Sequence, residues 1–244
     1  MITLCIPTYN RSKFAIRSFI NVIGDDRIDE IIVCDDNSNY ECYKNLEEEI
    51  KKIASPKIKI FRNDSNLGAF LNKYECVKKS SNEWIILIDS DNIIDDKYLE
   101  NLPKDPEKSI LYLPDHAICK SPYLNYKEFS DKIIDLQEYK EIIKSTEPKI
   151  QCLLNTGNYF FNRTKYMEAI GMEDNLMESF GCDVSYLIYL WFKSDRKNKL
   201  KVVKDMEYFH TLHENSEEES SHYTKTQRES SEFFKKIIDL SESL

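Results

Sequence analysis

Glycine is scarce, with 5 residues in 244, so no glycine-rich linker or low-complexity tract divides the chain, and no internal repeat is visible. Basic excess is also missing. Lys and Arg total 34 against 43 Asp and Glu, a formal charge of −9. Such a balance disfavours nonspecific nucleic-acid binding, which needs basic surface to neutralise phosphates. It leaves room for a local basic pocket that takes a small phosphorylated ligand. No apolar run approaches the roughly 20 residues that span a bilayer. Met1-Ile2-Thr3-Leu4 opens without a basic stretch leading into a signal-like apolar segment. A soluble, cytoplasmic protein without a transmembrane segment is expected. The cysteines at 5, 34, 42, 76, 119, 152 and 182 form no CxxC pair, against a zinc knot or a disulfide framework. Cys5, Cys34 and Cys76 lie in apolar patterns and are expected to be reduced core residues. No GxxxxGK[ST] loop occurs, which removes P-loop kinase chemistry.

What is present is globular: 41% hydrophobic, 12% aromatic and 32% charged residues, enough for one sizeable core. Over the first ninety residues or so, short apolar runs at Ile2–Ile6, Glu30–Cys34, Ile58–Phe61 and Trp84–Ile88 alternate with helically spaced stretches. Those stretches are Phe14–Ile23, Tyr40–Ile53 and Ala69–Lys79. Short β-rich runs separated by helices predict βαβ units and a parallel sheet covered on both faces. Beyond residue 91 the regularity fades. A short helix is expected at Tyr98–Leu102, stopped by Pro103, then a strand at Ile110–Leu113 and an amphipathic helix over Ile133–Lys144. A strand at Gly157–Phe161, a buried helix at Val184–Phe192, strands at Leu200–Val203 and Tyr208–Leu212, and a closing helix at Phe233–Leu240 follow. The acidic stretch Glu217–Glu219 reads as a solvated loop.

In open parallel sheets, ligands bind beyond the carboxyl ends of the strands. That rule selects Pro7–Arg11, Asp35–Ser38, Arg62–Asp64 and Asp89–Asn92, four polar segments expected to open onto one edge. Asp89 and Asp91 flank one residue after the most apolar strand, so both carboxylates can face a common point. Two such carboxylates suit a hard divalent cation that also bridges phosphates, although turns and helix caps use the same residues. Asp36 at the second strand tip could accept from a base or ribose, or serve as a turn residue. Asn66, Gly68 and Asn72 open the third helix, whose free backbone amides favour phosphate, although Gly68 could equally be only a loop glycine.

The ordered set CIPTYNR (5–11), VCDDNS (33–38), NLGAFLNK (66–73) and ILIDSDN (86–92) resembles glycosyltransferase family 2. The match is clear over about residues 1–92 and looser beyond. The resemblance implies an α/β GT-A fold forming one domain over 1–244, with a nucleotide-sugar-binding half (1–92) and an acceptor-side half (93–244). It implies a nucleoside-diphosphate-sugar donor (a UDP- or GDP-sugar), a divalent cation (Mn²⁺ or Mg²⁺), and a glycan, lipid-linked or protein acceptor, with no nucleic-acid partner. Thr8, Asn10 and Arg11 would border the nucleotide and Asp36 would contact the base. Asp91 would be the main metal ligand, with Asp89 towards the ribose or the metal.

The same resemblance carries over a base and a histidine. Asn155–Asn158 and Phe161–Arg163 are similar to the family's glycine-containing strand region. Phe180-Gly181-Cys182-Asp183 is similar to the opening of its base-bearing helix, with Cys182 where glutamate usually stands. Asp183 is thereby the implied catalytic base and inversion the implied stereochemistry. Asp174, in the literal pair Glu173-Asp174, is the competitor, and a helix cap is the plain alternative for Asp183. A late metal-binding histidine is implied at His213, with His210 second; both could be ordinary strand residues. Three rivals remain at this stage: a sugar-phosphate nucleotidyltransferase, a phosphatase using Asp89 as nucleophile, and a GT-A-like binding domain without catalysis. The first would need a glycine-rich basic N-terminal loop, and Pro7–Arg11 contains no glycine. In a phosphatase the motif normally ends the first strand, whereas Asp89 follows three βα units.

Overall fold

The computed structural model describes residues 1–119, 124–144, 158–173, 176, 183–211 and 221–240. The first half follows the expected alternation: β1 (Ile2–Thr8), α1 (Ser12–Phe19), β2 (Ile28–Asp35), α2 (Tyr40–Ile53), β3 (Ile58–Arg62), α3 (Ala69–Lys79) and β4 (Trp84–Leu87). Local chemistry sets the helix starts. Asn39 caps α2 by accepting from Cys42 N at 2.9 Å. Gly68 stands before α3 at φ 82°, a left-handed conformation that glycine adopts without a Cβ clash.

The second half comprises β5 (Asn92–Ile93), α4 (Asp96–Glu100), β6 (Ile110–Ile118), β7 (Ile133–Ile134), α5 (Leu136–Lys144), β8 (Tyr159–Asn162), α6 (Arg163–Gly171), α7 (Asp183–Ser194), β9 (Lys199–His210) and α8 (Ser221–Asp239). One nine-stranded sheet runs β3-β2-β1-β4-β8-β6-β9-β5, with β7 also on β9. β3, β2, β1 and β4 are parallel, and β8 lies antiparallel between β4 and β6. Two apolar clusters cover the faces. Cys5, Ile32, Cys34 and Leu87 point into one with α3, α6 and α7. Leu4, Ile6, Ile31, Val33 and Ile86 point into the other, beneath α1 and α4. The strands are apolar on both sides, as a doubly covered sheet requires.

The late elements differ from the sequence expectations in instructive ways. Leu200–Val203 and Tyr208–Leu212 are not two strands over the described residues; one strand, β9, runs through Lys199–His210. Its polar centre is a bulge, with Asp205 at φ 59° and the register against β6 slipping between Pro114 and His116. Asp115 anchors it, accepting from Asp205 N (2.9 Å) and Ser130 Oγ (2.8 Å). Pro114 lacks an N–H, and the bulge lets β6 continue past it. The stretch 133–144 begins as a two-residue strand before the helix starts at Leu136. The segment after β8 is helical from Arg163, capped by Asn162 accepting from Lys165 N at 3.2 Å. All described cysteines are free, as expected. Cys76 beside it and burial push the Cys34 thiol far up, so it stays protonated.

At the edge of the sheet remote from the strand tips, Glu30 is buried and accepts from Thr3 Oγ1 (2.6 Å), Lys59 Nζ (2.7 Å) and Ser81 N (2.8 Å). Burial works against its charge, but these donors outweigh it and hold the carboxyl below its ordinary value of 4.5. A depressed folded value means the stabilisation is full above the ordinary value and is lost as pH falls from there through the depressed one. Glu30→Gln is expected to cost about 2 kcal/mol at neutral pH, the usual scale for a charge-assisted buried acceptor. The melting difference from wild type should close as pH drops below the ordinary 4.5. A difference unchanged by acid would remove Glu30 as the cause.

Candidate active site

Parallel order places the carboxyl ends of β1 to β4 on one edge, and the connection reverses direction between β1 and β4. A cavity of about 250 Å³ opens at this switch point. The tips of β1, β2 and β4 and the start of α3 contribute: Pro7, Thr8, Tyr9 and Arg11 after β1, Asp36 after β2, Asn66, Gly68, Ala69, Asn72 and Lys73 around the start of α3, and Asp89 and Ser90 after β4. Arg62–Asp64, expected on the same edge, is not in the lining.

Of the residues expected to border a nucleotide, Thr8, Arg11, Asp36, Asn66, Gly68, Asn72 and Asp89 line this cavity. Thr8 is buried, yet its Oγ1 has no hydrogen-bond partner, so a ligand oxygen or N–H would satisfy it. Asn10 is not among the lining residues. It sits at φ 53° and its Oδ1 accepts from Asn39 N (2.8 Å) and Asn39 Nδ2 (2.9 Å), tying the tip of β1 to that of β2.

Asp36 shapes the cavity wall. Its Oδ1 accepts from Leu67 N and Asn63 Nδ2, each at 2.9 Å, and its Oδ2 accepts from Gly68 N at 2.9 Å. The carboxylate thereby holds the β3–α3 loop across the β2 tip. Asn66 belongs to the same loop and accepts from Gly68 N at 3.0 Å. Asn72 is buried and donates to Cys34 O (3.2 Å) and Thr8 O (3.4 Å), locking α3 against the ends of β1 and β2.

The floor carries the charges. Asp91 Oδ2 lies 2.7 Å from Arg11 Nη1. Lys73 Nζ lies 2.7 Å from Asp89 Oδ1 and 2.5 Å from Asp183 Oδ2. Arg11, Lys73 and Asp89 line the cavity, whereas Asp91 and Asp183 stand behind them as their partners. Asp183 is the first residue of α7, so the fold brings this distant aspartate against Lys73. Burial works against the Lys73 ammonium, but Asp183 and Asp89 more than compensate and hold it protonated, above the ordinary lysine range. Withdrawal from solvent pushes the Asp89 carboxyl up to about 6, with Lys73 opposing and Asp91 and Asp183 adding to the rise. Asn158 is fully buried and its Oδ1 accepts from Asp89 N and Asn92 Nδ2, each at 3.2 Å. Asn92 Oδ1 in turn meets His210 Nδ1 at 2.8 Å. These contacts fix the turn that presents Asp89 and Asp91.

Lys73 and Asn158 were not singled out by sequence reasoning. Lys73 had a signal: it falls between Phe70 and Val77 on the buried face of α3, where a lysine needs a carboxylate partner. His213, Asp174 and Cys182 lie outside the described residues. Among the described residues, no three His, Cys, Asp or Glu side chains converge as a ready-made metal cage.

The sequence profile of glycosyl transferase family 2 matches residues 3–170. The chain belongs to this family. The matched stretch runs well past the first 92 residues but stops short of Asp183 and His210. An uncharacterized glycosyltransferase of Mycoplasma genitalium is 24% identical over 185 residues, 71% of this chain and 60% of its own length. The glycosyl transferase WcaA of Escherichia coli K12 is 30% identical over 93 residues, 38% of this chain and 33% of its own. The chain thus spans less than two thirds of both curated relatives. Among solved structures, S. aureus TarS 1–349 in complex with UDP-GlcNAc superposes with a TM-score of 0.67 at 15% identity, covering 95% of this chain and 66% of that one. GalNAc-T7 with UDP, GalNAc and Mn²⁺ gives 0.66 at 16% identity, covering 95% and 48%. The fold of this family member is GT-A, a mixed α/β architecture around a central sheet. Among the described residues, no helix is long and apolar enough to cross a membrane.

Proposed function

We propose that the protein transfers a sugar from a nucleoside-diphosphate-sugar donor, a UDP- or GDP-sugar, to an acceptor hydroxyl on a glycan, lipid-linked or protein substrate. The observation that carries the reading is a strand-tip cavity lined by Arg11, Lys73 and Asp89, with Asp91 and Asp183 paired to those two cations. TarS and GalNAc-T7, which share the fold, are described with UDP-GlcNAc and with UDP, GalNAc and Mn²⁺ respectively.

The donor set fits a divalent cation, Mn²⁺ or Mg²⁺. Asp89 and Asp91 are hard oxygen ligands on one turn, and such ions are commonly held by one or two carboxylates plus substrate phosphates and water. His213 is the further ligand we propose. When bound, the cation neutralises charge on the departing diphosphate. The chain's own groups do the rest. Thr8 and Asp36 stand at the nucleotide wall, Gly68 and the start of α3 offer backbone N–H groups, and Asp183 takes the proton from the attacking hydroxyl, with inversion at the anomeric carbon.

The test is thermal unfolding with UDP, GDP and their sugar conjugates, each with and without Mn²⁺. A ligand at a hundred times its dissociation constant adds about 2.7 kcal/mol, a rise of roughly 5–10 °C for a chain of this size. The rise should require Mn²⁺ and vanish in Asp91→Ala. Folded protein that no nucleotide stabilises would refute the reading.

A further inference from the structure

Asp89 in the cavity lining, and Asp91 and Asp183 beside it, are each already engaged by a cation of the chain itself. Arg11 holds Asp91, and Lys73 bridges Asp89 and Asp183. In this arrangement Asp183 Oδ2 accepts from an ammonium, which lowers the carboxylate's tendency to take a proton, and Asp91 Oδ2 is turned to a guanidinium. Both cationic heads belong to long side chains that line the same cavity as Thr8 and Gly68, the space a ligand's phosphates would enter.

We propose that Arg11 and Lys73 are exchangeable counter-ions, released from Asp91, Asp89 and Asp183 by the diphosphate of the incoming nucleotide. Cation binding is then coupled to nucleotide binding, and Asp183 becomes free to accept a proton only in the donor complex. This rests on the nucleotide-sugar reading above.

Charge balance favours the exchange. Three carboxylates and two basic groups leave one net negative charge on the floor. The diphosphate of a nucleotide sugar brings two negative charges and the divalent cation two positive ones, so together they leave the balance unchanged. Either alone would place uncompensated charge in a partly desolvated cavity, which is costly. Arg11 and Lys73 passing to phosphate while the cation takes the carboxylates keeps every charge paired. Before the donor arrives, Asp183 stays neutralised by Lys73, which guards against premature proton abstraction. Lys73 is in this sense a positioning residue for Asp183.

The experiment measures free Mn²⁺ by electron paramagnetic resonance during titration of wild type, Arg11→Gln and Lys73→Gln, with and without UDP, and with GDP in parallel. In wild type, UDP or GDP is expected to tighten Mn²⁺ binding by about tenfold or more, and Mn²⁺ to tighten that nucleotide by the same factor. In Arg11→Gln, Mn²⁺ alone should bind several-fold more tightly than to wild type, because Asp91 has lost its counter-ion, and the coupling should shrink. A merely structural role for Arg11 would not produce a gain in cation affinity. Lys73→Gln should act in the same direction through Asp89. Should its buried position prevent folding, Arg11→Gln, nearer the rim with its side chain 32% exposed, decides alone. Nucleotide binding with Mn²⁺ affinity in Arg11→Gln equal to or below wild type overturns the counter-ion proposal only. Failure of wild type to bind UDP or GDP with Mn²⁺ overturns the nucleotide reading and this proposal with it.

Discussion

Asp183→Asn is expected to lower glycosyl transfer by about 10²–10⁴-fold, the range lost when a positioned general base is removed, while leaving Mn²⁺-dependent nucleotide binding in place. The substitution separates two roles that one residue can hold. Asp183 opens α7, where an acidic side chain also favours the helix N-terminus. Asparagine keeps a helix-capping side chain of the same shape but cannot take a proton. If Asp183 only started the helix, turnover and melting temperature would both stay near wild type. The contact with Lys73, which also bridges to Asp89, gives the carboxylate a partner beyond the helix start, and turnover tells whether it also takes a proton. Asp174→Asn belongs in the same assay. Loss of turnover there, with Asp183→Asn active, would move the base to residue 174.

Asp36→Ala is expected to remove nucleotide binding and to destabilise the fold by about 3–5 kcal/mol, a fall in melting temperature of roughly 10 °C for a chain of this size. The magnitude follows from what the carboxylate holds. Leu67 N, Gly68 N and Asn63 Nδ2 all donate to it at 2.9 Å, and Asp36 is buried. Removing the acceptor leaves these donors to find other partners, at about 1–3 kcal/mol for each one left buried and unpaired. The β3–α3 loop then loses its anchor to β2, and with it the placement of Gly68 and Asn66 at the cavity wall. Asp36→Asn should recover part of the loss, because its remaining carbonyl oxygen can serve one side of the loop while its amide faces an N–H. A melting temperature for Asp36→Ala within about 2 °C of wild type would show that the loop is held by something else.

Much of the first half was legible in the chain. Strands apolar on both faces, separated by helices of 3.6-residue spacing, imply a parallel covered sheet, and polar residues at the strand tips imply a ligand edge. Thr8, Arg11, Asp36, Asn66, Gly68, Asn72 and Asp89 meet around one cavity for that reason. The second half was harder to read because its elements depend on partners. The bulge at Asp205 breaks the hydrophobic alternation of β9 in the way a turn would, and only Asp115, 90 residues earlier, identifies it as a bulge. Asn10, at a strand tip like its neighbours, spends its side chain on Asn39.

By itself, then, the sequence determined the α/β class, the βαβ order, the family and the edge where the cavity opens. All of these follow from local periodicity and from motifs of a few residues. The tertiary structure alone decided which charges meet. Lys73 and Asp183 are 110 residues apart and Arg11 and Asp91 are 80 apart. No local pattern specifies such pairs. They are selected because a charge withdrawn from water needs an opposite charge beside it, and only the folded chain says which one is within reach.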